Sequence, residues 1–192
     1  MEIIQSHMKL LQKHLAFLYI LIFSFITSPQ LAAQKKATEP ASFPMSWVGK
    51  WKGNMTWYQG LQQREGVQMQ LHILPADSVD QYSWRIIYGT AGQDNRPYIL
   101  KPFNKERGHW LIDELNSIVL DQFLIGSRFC GTFTVEGNTI MNCYELQGDS
   151  LLVEFYNFQE KPIVITGGGD STVPKVKTYG MRSHQRAVLK RF

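Results

Sequence analysis

The chain has 192 residues, of which 12% are aromatic and 19% charged, and a net charge of +4. That length suits one domain with a sizeable core. The Lys and Arg residues are scattered rather than striped, which argues against a nucleic-acid-binding surface.

The first element expected is a leader. Lys9 and Lys13 precede an apolar run from Leu15 to Ile26, and Ser28-Pro29-Gln30-Leu31-Ala32-Ala33 follows. A basic start, a short apolar stretch and small residues at its exit describe a signal peptide over 1–33. The run falls short of the roughly 20 residues needed to span a bilayer. Losing Lys9, Lys13 and Glu2 with the leader lowers the net charge from +4 to +3. Residues 34–45 read as a polar, flexible tether, and 46–192 as the folded domain. No later segment has the pattern of a membrane-crossing helix, so the expected mature protein is exported, periplasmic or secreted.

Beyond the tether the chain alternates between apolar and polar residues, with turn signals every 8–12 residues, the pattern of an all-β sandwich or barrel. Ten strands are expected, near 47–58, 66–74, 81–90, 96–103, 107–114, 117–125, 128–135, 138–147, 150–157 and 175–190. In the second strand Val67, Met69, Leu71 and Ile73 share one face, with Gln68, Gln70 and His72 on the other. In the third, Tyr82, Trp84, Ile86 and Tyr88 share a face. Each sheet surface therefore has one buried and one wet side.

Three hairpins can be registered. The turn Glu136-Gly137 pairs Val135 with Asn138, Phe133 with Ile140, Gly131 with Asn142 and Phe129 with Tyr144. On the opposite face it sets Thr134 against Thr139 and Arg128 against Glu145. The turn Gly126-Ser127 pairs Leu124 with Phe129, Gln122 with Gly131 and Leu120 with Phe133. The turn Gly148-Asp149 pairs Leu146 with Leu151, Tyr144 with Val153 and Asn142 with Phe155. All three registers put their apolar sets on one face, which a one-residue slip would destroy. They also bring Cys130 opposite Cys143 at a non-hydrogen-bonded position, where Cα atoms are closest. A cross-strand disulfide on the outer face is expected; the alternative is a pair of free thiols.

The edges of a ten-stranded meander disappear if the first and last strands pair. The run Val176–Arg191 is long enough to do so, which brings its end beside Trp47 and Trp51. Gly49-Lys50-Trp51 on the first strand, with Arg186 or Arg191 from the last to stack on the indole, resembles the calycin superfamily, the lipocalins and fatty-acid-binding proteins. That resemblance implies a single antiparallel up-and-down β-barrel, closed at the Trp51 end, with an interior that takes a small hydrophobic or amphipathic ligand. Gly49-Lys50-Trp51-Lys52-Gly53 and the closing His184-Gln185-Arg186-Ala187-Val188-Leu189-Lys190-Arg191 also resemble nitrobindin-type haem-binding barrels. That likeness implies haem as cofactor, with His184 as its proximal ligand. By strict alternation His184 is opposite in parity to Tyr179, Met181, Ala187 and Leu189, so all five face inward only across a β-bulge.

Polar residues on an apolar inner face are informative, because burial without a partner is costly. Gln122 and Asn142 both fall there, flanking Gly131, whose missing side chain leaves room. With Tyr144 they either orient a ligand in a cavity lined by Trp84, Phe129, Phe133 and Phe155, or form a buried polar network with water. His109 joins them if Leu115-Asn116 is a two-residue turn; a one-residue shift turns Trp110 and Ile112 inward instead. An enzymatic reading would use His109, Asp113 or Tyr144 in general acid–base chemistry. No metal-ligand spacing, nucleophile elbow or phosphate loop is present. Gly167-Gly168-Gly169-Asp170-Ser171 reads as the tip of a long loop. The expectation is thus a non-enzymatic binding barrel, with haem binding, enzymatic activity or a side-chain-filled structural barrel as alternatives.

Overall fold

A computed structural model describes residues 42–192. The expected leader and most of the expected tether lie outside the described residues. The fold is all-β: ten antiparallel strands in a closed barrel, each paired with its neighbours in sequence, with the first pairing the last. The strands are β1 (Gly49–Gln59), β2 (Gln62–Ile73), β3 (Tyr82–Tyr88), β4 (Asp94–Asn104), β5 (His109–Asp113), β6 (Val119–Ile125), β7 (Arg128–Val135), β8 (Asn138–Gln147), β9 (Ser150–Thr166) and β10 (Val176–Arg191). Closure runs from the pair Trp51–Arg191 to the pair Tyr58–His184.

The central hairpins take the expected registers. Glu136 and Gly137 both adopt positive φ, at 47° and 74°, the geometry whose twist suits a two-residue hairpin. Gly131 faces Asn142, Phe129 faces Tyr144, and Cys130 faces Cys143 across β7 and β8. Leu124 pairs Phe129, and Asn142 pairs Phe155. The cysteines form a disulfide across 4.2 Å between Cα atoms.

One element takes the second of two alternatives the sequence leaves open, and another differs from the sequence expectation. Glu114 N–H donates to the Ile118 carbonyl, so the turn between β5 and β6 encloses three residues, 115–117, rather than the two-residue turn Leu115-Asn116. Asp113 Oδ1 accepts from Leu115 N–H and Asn116 Oδ1 from Ile118 N–H, which hold this longer turn. The extra residue moves the register by one: Trp110 pairs Gln122 and His109 pairs Phe123. A shift of one exchanges the faces, so Trp110 and Ile112 are buried and His109 is outside. Second, β9 does not stop near residue 157. It runs on to Thr166, pairing with Val176–Met181 of β10 through three irregularities of register.

Inward-facing residues fill one end of the barrel. Trp51, Trp84, Phe129, Leu71, Ile73, Leu100, Leu151 and Leu189 are fully buried. A short turn over Met45–Trp47 caps this end, and Trp51 Nε1 donates to the Trp47 carbonyl at 2.9 Å. Phe43, assigned above to the tether, packs on the same cluster, 4.6 Å from Phe129 and 5.2 Å from Trp110 between ring centroids. Phe43 and Met45–Trp47 therefore belong to the folded domain. An apolar ring set against a ring of aromatics is held by burial, and Phe43 plugs the barrel floor.

Closure uses Arg191 rather than Arg186. The Arg191 guanidinium sits 4.2 Å from the Trp51 ring centre, and its Nη2 donates to the Ser46 carbonyl at 2.8 Å. Arg186 is opposite Thr56 and exposed on the outer wall. Gly49 allows this contact: its φ is 151°, and a Cβ there would come within 2.8 Å of Arg191 Nη1.

Candidate functional site: a cavity at the barrel mouth

The opposite end, which carries the β1–β2, β3–β4, β5–β6, β7–β8 and β9–β10 connections, holds a cavity of about 640 Å³. Its apolar wall comes from Met55, Trp57, Val67, Tyr88, Phe133, Ile140 and Phe155, and its polar wall from Glu65, Asp94, Arg96, Asn157, Ser183 and Gln185. Strand parity builds this set. Met55 and Val67 continue the inward rows of Trp51 and of Met69, Leu71 and Ile73; Asn157 continues the row Leu151, Val153, Phe155. Ser183 and Gln185 continue the row of Ala187 and Leu189. The same rows that fill the floor with aliphatic side chains thus become mixed in polarity near the rim.

The polar side chains differ in how they are satisfied. Arg96 is neutralised by Asp94 in a two-pronged contact, at 3.0 and 2.8 Å, and stacks 4.9 Å from the Tyr88 ring centre. That contact holds the Asp94 carboxyl below the usual carboxylate range. Burial pushes the Tyr88 hydroxyl well above the ordinary tyrosine value, so it stays protonated. Asn157 Oδ1 is buried and has no hydrogen-bond partner. A buried acceptor with unused capacity costs free energy when left alone.

A smaller cavity of about 70 Å³ lies deeper, against Trp84, Tyr98, Asn142 and Tyr144, and shares Tyr88, Arg96, Phe133 and Phe155 with the larger one. It is roomy enough for ordered water. Asn142 Oδ1 accepts from Gln122 Nε2 at 3.2 Å, and Gln122 is fully buried. Gly131 admits that amide: a Cβ there would lie 2.1 Å from Gln122 Nε2. Trp84 Nε1 and Gln122 Oε1 are buried without partners. Burial raises the Tyr144 hydroxyl pKa.

The expected site residues therefore separate. Phe133 and Phe155 line the mouth cavity. Asn142, Tyr144 and Trp84 border only the deeper one, Gln122 lines neither, and Phe129 belongs to the packed floor. His109 is on the outer wall, its ring between Phe103 and Phe123 and its Nε2 2.6 Å from Asp121 Oδ1. Asp113 shares that outer face and contacts Lys101 Nζ at 2.5 Å, so His109 and Asp113 do not meet Tyr144, which is inside. Pattern reading missed Asn157, Ser183, Gln185 and Trp57, although their parity with Phe155, Ala187 and Met55 was available.

His184 also faces outward. Its ring lies between Tyr156 and Tyr58, 4.4 and 5.6 Å between centroids. Nε2 lies 3.3 Å from Glu154 Oε1 but makes no hydrogen bond; the Glu154 carboxylate instead accepts from Arg128 Nη2 at 2.8 Å and the Tyr156 hydroxyl at 3.0 Å. The register irregularities of β10 fall between Thr178 and Ser183, before His184, so they do not turn it inward. His72 is likewise on the outer face, 3.1 Å from Gln70 Oε1. Among the described residues no histidine faces the interior, and the residues present do not fit haem ligated by His184. No group of three His, Cys, Asp or Glu side chains there is arranged to hold a metal ion.

No family model matches the chain, and no curated protein matches it either. A solved structure that matches is a protein of unknown function from the DUF3598 family of Nostoc punctiforme PCC 73102. The two share 10% identity with a TM-score of 0.51, over 76% of this chain and 47% of the other. The likeness is one of fold, and this chain spans about half the length of that protein.

Proposed function

We propose that the protein is an exported, calycin-like carrier that holds one small amphipathic molecule in the mouth of its barrel. The observation behind this reading is the cavity of about 640 Å³, within the range typical of small-molecule sites, above a floor sealed by Trp47, Trp51 and Phe43. Its Met55, Phe133 and Phe155 walls suit an apolar body. The polar side chains of Asn157, Ser183 and Gln185 in the wall suit a ligand with a hydroxyl or amide group. Because Asp94 already neutralises Arg96, a neutral head group suits the site better than a carboxylate. The Gly49-Lys50-Trp51 match with Arg191 supports the calycin assignment. The disulfide fits an oxidising compartment, in keeping with the leader expected over 1–33.

Native mass spectrometry of the protein purified from its own cells tests the reading, together with binding of a fluorescent apolar probe. A bound small molecule, displaced by the probe and lost on Gln185→Trp, is expected. A bare protein that also ignores the probe would overturn the proposal in favour of a structural barrel.

A further inference from the structure

Beyond the mouth, β9 and β10 leave the wall. β8 last pairs β9 at Gln159, and β1 last pairs β10 at His184, yet β9 and β10 stay paired as far as Thr166 and Val176. The result is a free two-stranded ribbon, tipped by residues 167–175. Its apolar residues face solvent: Ile163 is 61% exposed, Ile165 54%, Val164 46% and Val176 51%. They occupy both faces, since Ile165 pairs Lys177 while Val164 pairs Thr178, and cross-strand partners share a face. A flat protein partner would need only one apolar face; an interfacial lipid layer wets both.

Charge points the same way. The ribbon and its tip carry Lys161, Lys175, Lys177 and Arg182 against Glu160 and Asp170. Lys161 and Pro162 occupy the free edge of β9, where such residues oppose strand addition by a second copy. The unpaired backbone groups of both edges forbid passage into the hydrocarbon core, so the ribbon can sit only at headgroup depth.

We infer that this ribbon docks the protein on an anionic phospholipid surface, with Ile163, Val164 and Ile165 at the acyl boundary and the lysines against phosphates. The β1–β2 tip, where Leu61 is fully exposed, stands at the same end, so docking brings the cavity mouth to the bilayer. The inference holds whether or not the cavity takes a ligand.

The test is flotation of the oxidised mature chain with vesicles of phosphatidylcholine containing phosphatidylglycerol. Binding is expected, weakened by salt and abolished by Ile163→Ser with Ile165→Ser. Replacing Lys175 and Lys177 by Gln should lower partitioning about fivefold per cation. All four positions are exposed, and an unchanged thermal midpoint verifies that each variant is folded. Absence of binding, binding indifferent to these substitutions, or equal binding to pure phosphatidylcholine would overturn the inference. So would a dimer in sedimentation that the isoleucine variant dissolves, which would assign the ribbon to self-association.

Discussion

The guanidinium of Arg191 covers the indole of Trp51 at 4.2 Å, joining the last strand to the first at the closed end of the barrel. Its second function is to bind the backbone, since it also donates to the carbonyls of Ser46 and Val48. Arg191→Ala removes the stacking and both hydrogen bonds, and should cost about 1–3 kcal/mol. Arg186→Ala touches none of this and should stay within about 0.5 kcal/mol of the parent. Urea unfolding of both variants measures the difference; equal effects would dissociate Arg191 from closure.

The Cys130–Cys143 disulfide ties β7 to β8 across 13 residues of sequence. A loop that short limits its contribution to about 2–3 kcal/mol, through restriction of the unfolded chain. The oxidised native protein should show no thiol reactive to labelling. Cys130→Ser with Cys143→Ser should lower stability by that amount while leaving the β-rich circular dichroism spectrum unchanged, because the hairpin register is also set by its turn and by the Phe129–Tyr144 and Phe133–Ile140 pairs.

Much of this fold is local chemistry, and that part was legible. Clean alternation in β2 and β3, and two-residue turns ending or starting on Gly at 126, 137 and 148, fix faces and registers within a dozen residues of one another. The misplaced elements depend on subtler or more distant partners. The length of the turn after Asp113 decides whether His109 faces inside or outside, and its sequence allows both; the structure takes the longer turn. The run Ile163-Val164-Ile165 has the β-branched composition of a strand, but nothing nearby shows that its partner is Val176–Tyr179. Phe43 carried no pattern at all, because a plug is defined by the hole it fills. Phe133 and Phe155 were foreseen for the cavity. Asn157, Ser183 and Gln185 were not, since polar residues in an outwardly mixed strand signal a cavity only when all ten strands are closed around it.

Gly131 and Gln122 offer a test of the inner polar pair. A methyl at residue 131 would collide with Gln122 Nε2 at 2.1 Å and with the Asp121 carbonyl at 2.6 Å. Gly131→Ala should therefore destabilise the barrel by about 1–3 kcal/mol. Adding Gln122→Ala should recover only part of the loss, because the amide yields while the backbone carbonyl does not. The two changes should be clearly non-additive in thermal unfolding. Simple additivity would mean that Gly131 and Gln122 do not share the space between β6 and β7.

His72 should govern the response to mild acid. Burial, and then the charges of Lys50 and Arg85, hold its imidazole below its ordinary value of 6.5 in the folded protein. The unfolded chain thus binds a proton that the native state resists, so stability falls as pH drops through about 6.5 toward the folded pKa. Further down, Asp94, Asp113 and Glu145 act in the same direction. Their folded pKa values are depressed, chiefly by hydrogen bonds from Arg96, Lys101 and Ser127 respectively. The stability they supply is present above the ordinary carboxylate range and disappears as pH falls through their folded values. Urea midpoints at pH 7.5 and 5.5 should therefore differ in the parent, with the lower value in acid, and His72→Gln should narrow that gap. An unchanged gap in His72→Gln would remove His72 as the source of the mild-acid sensitivity.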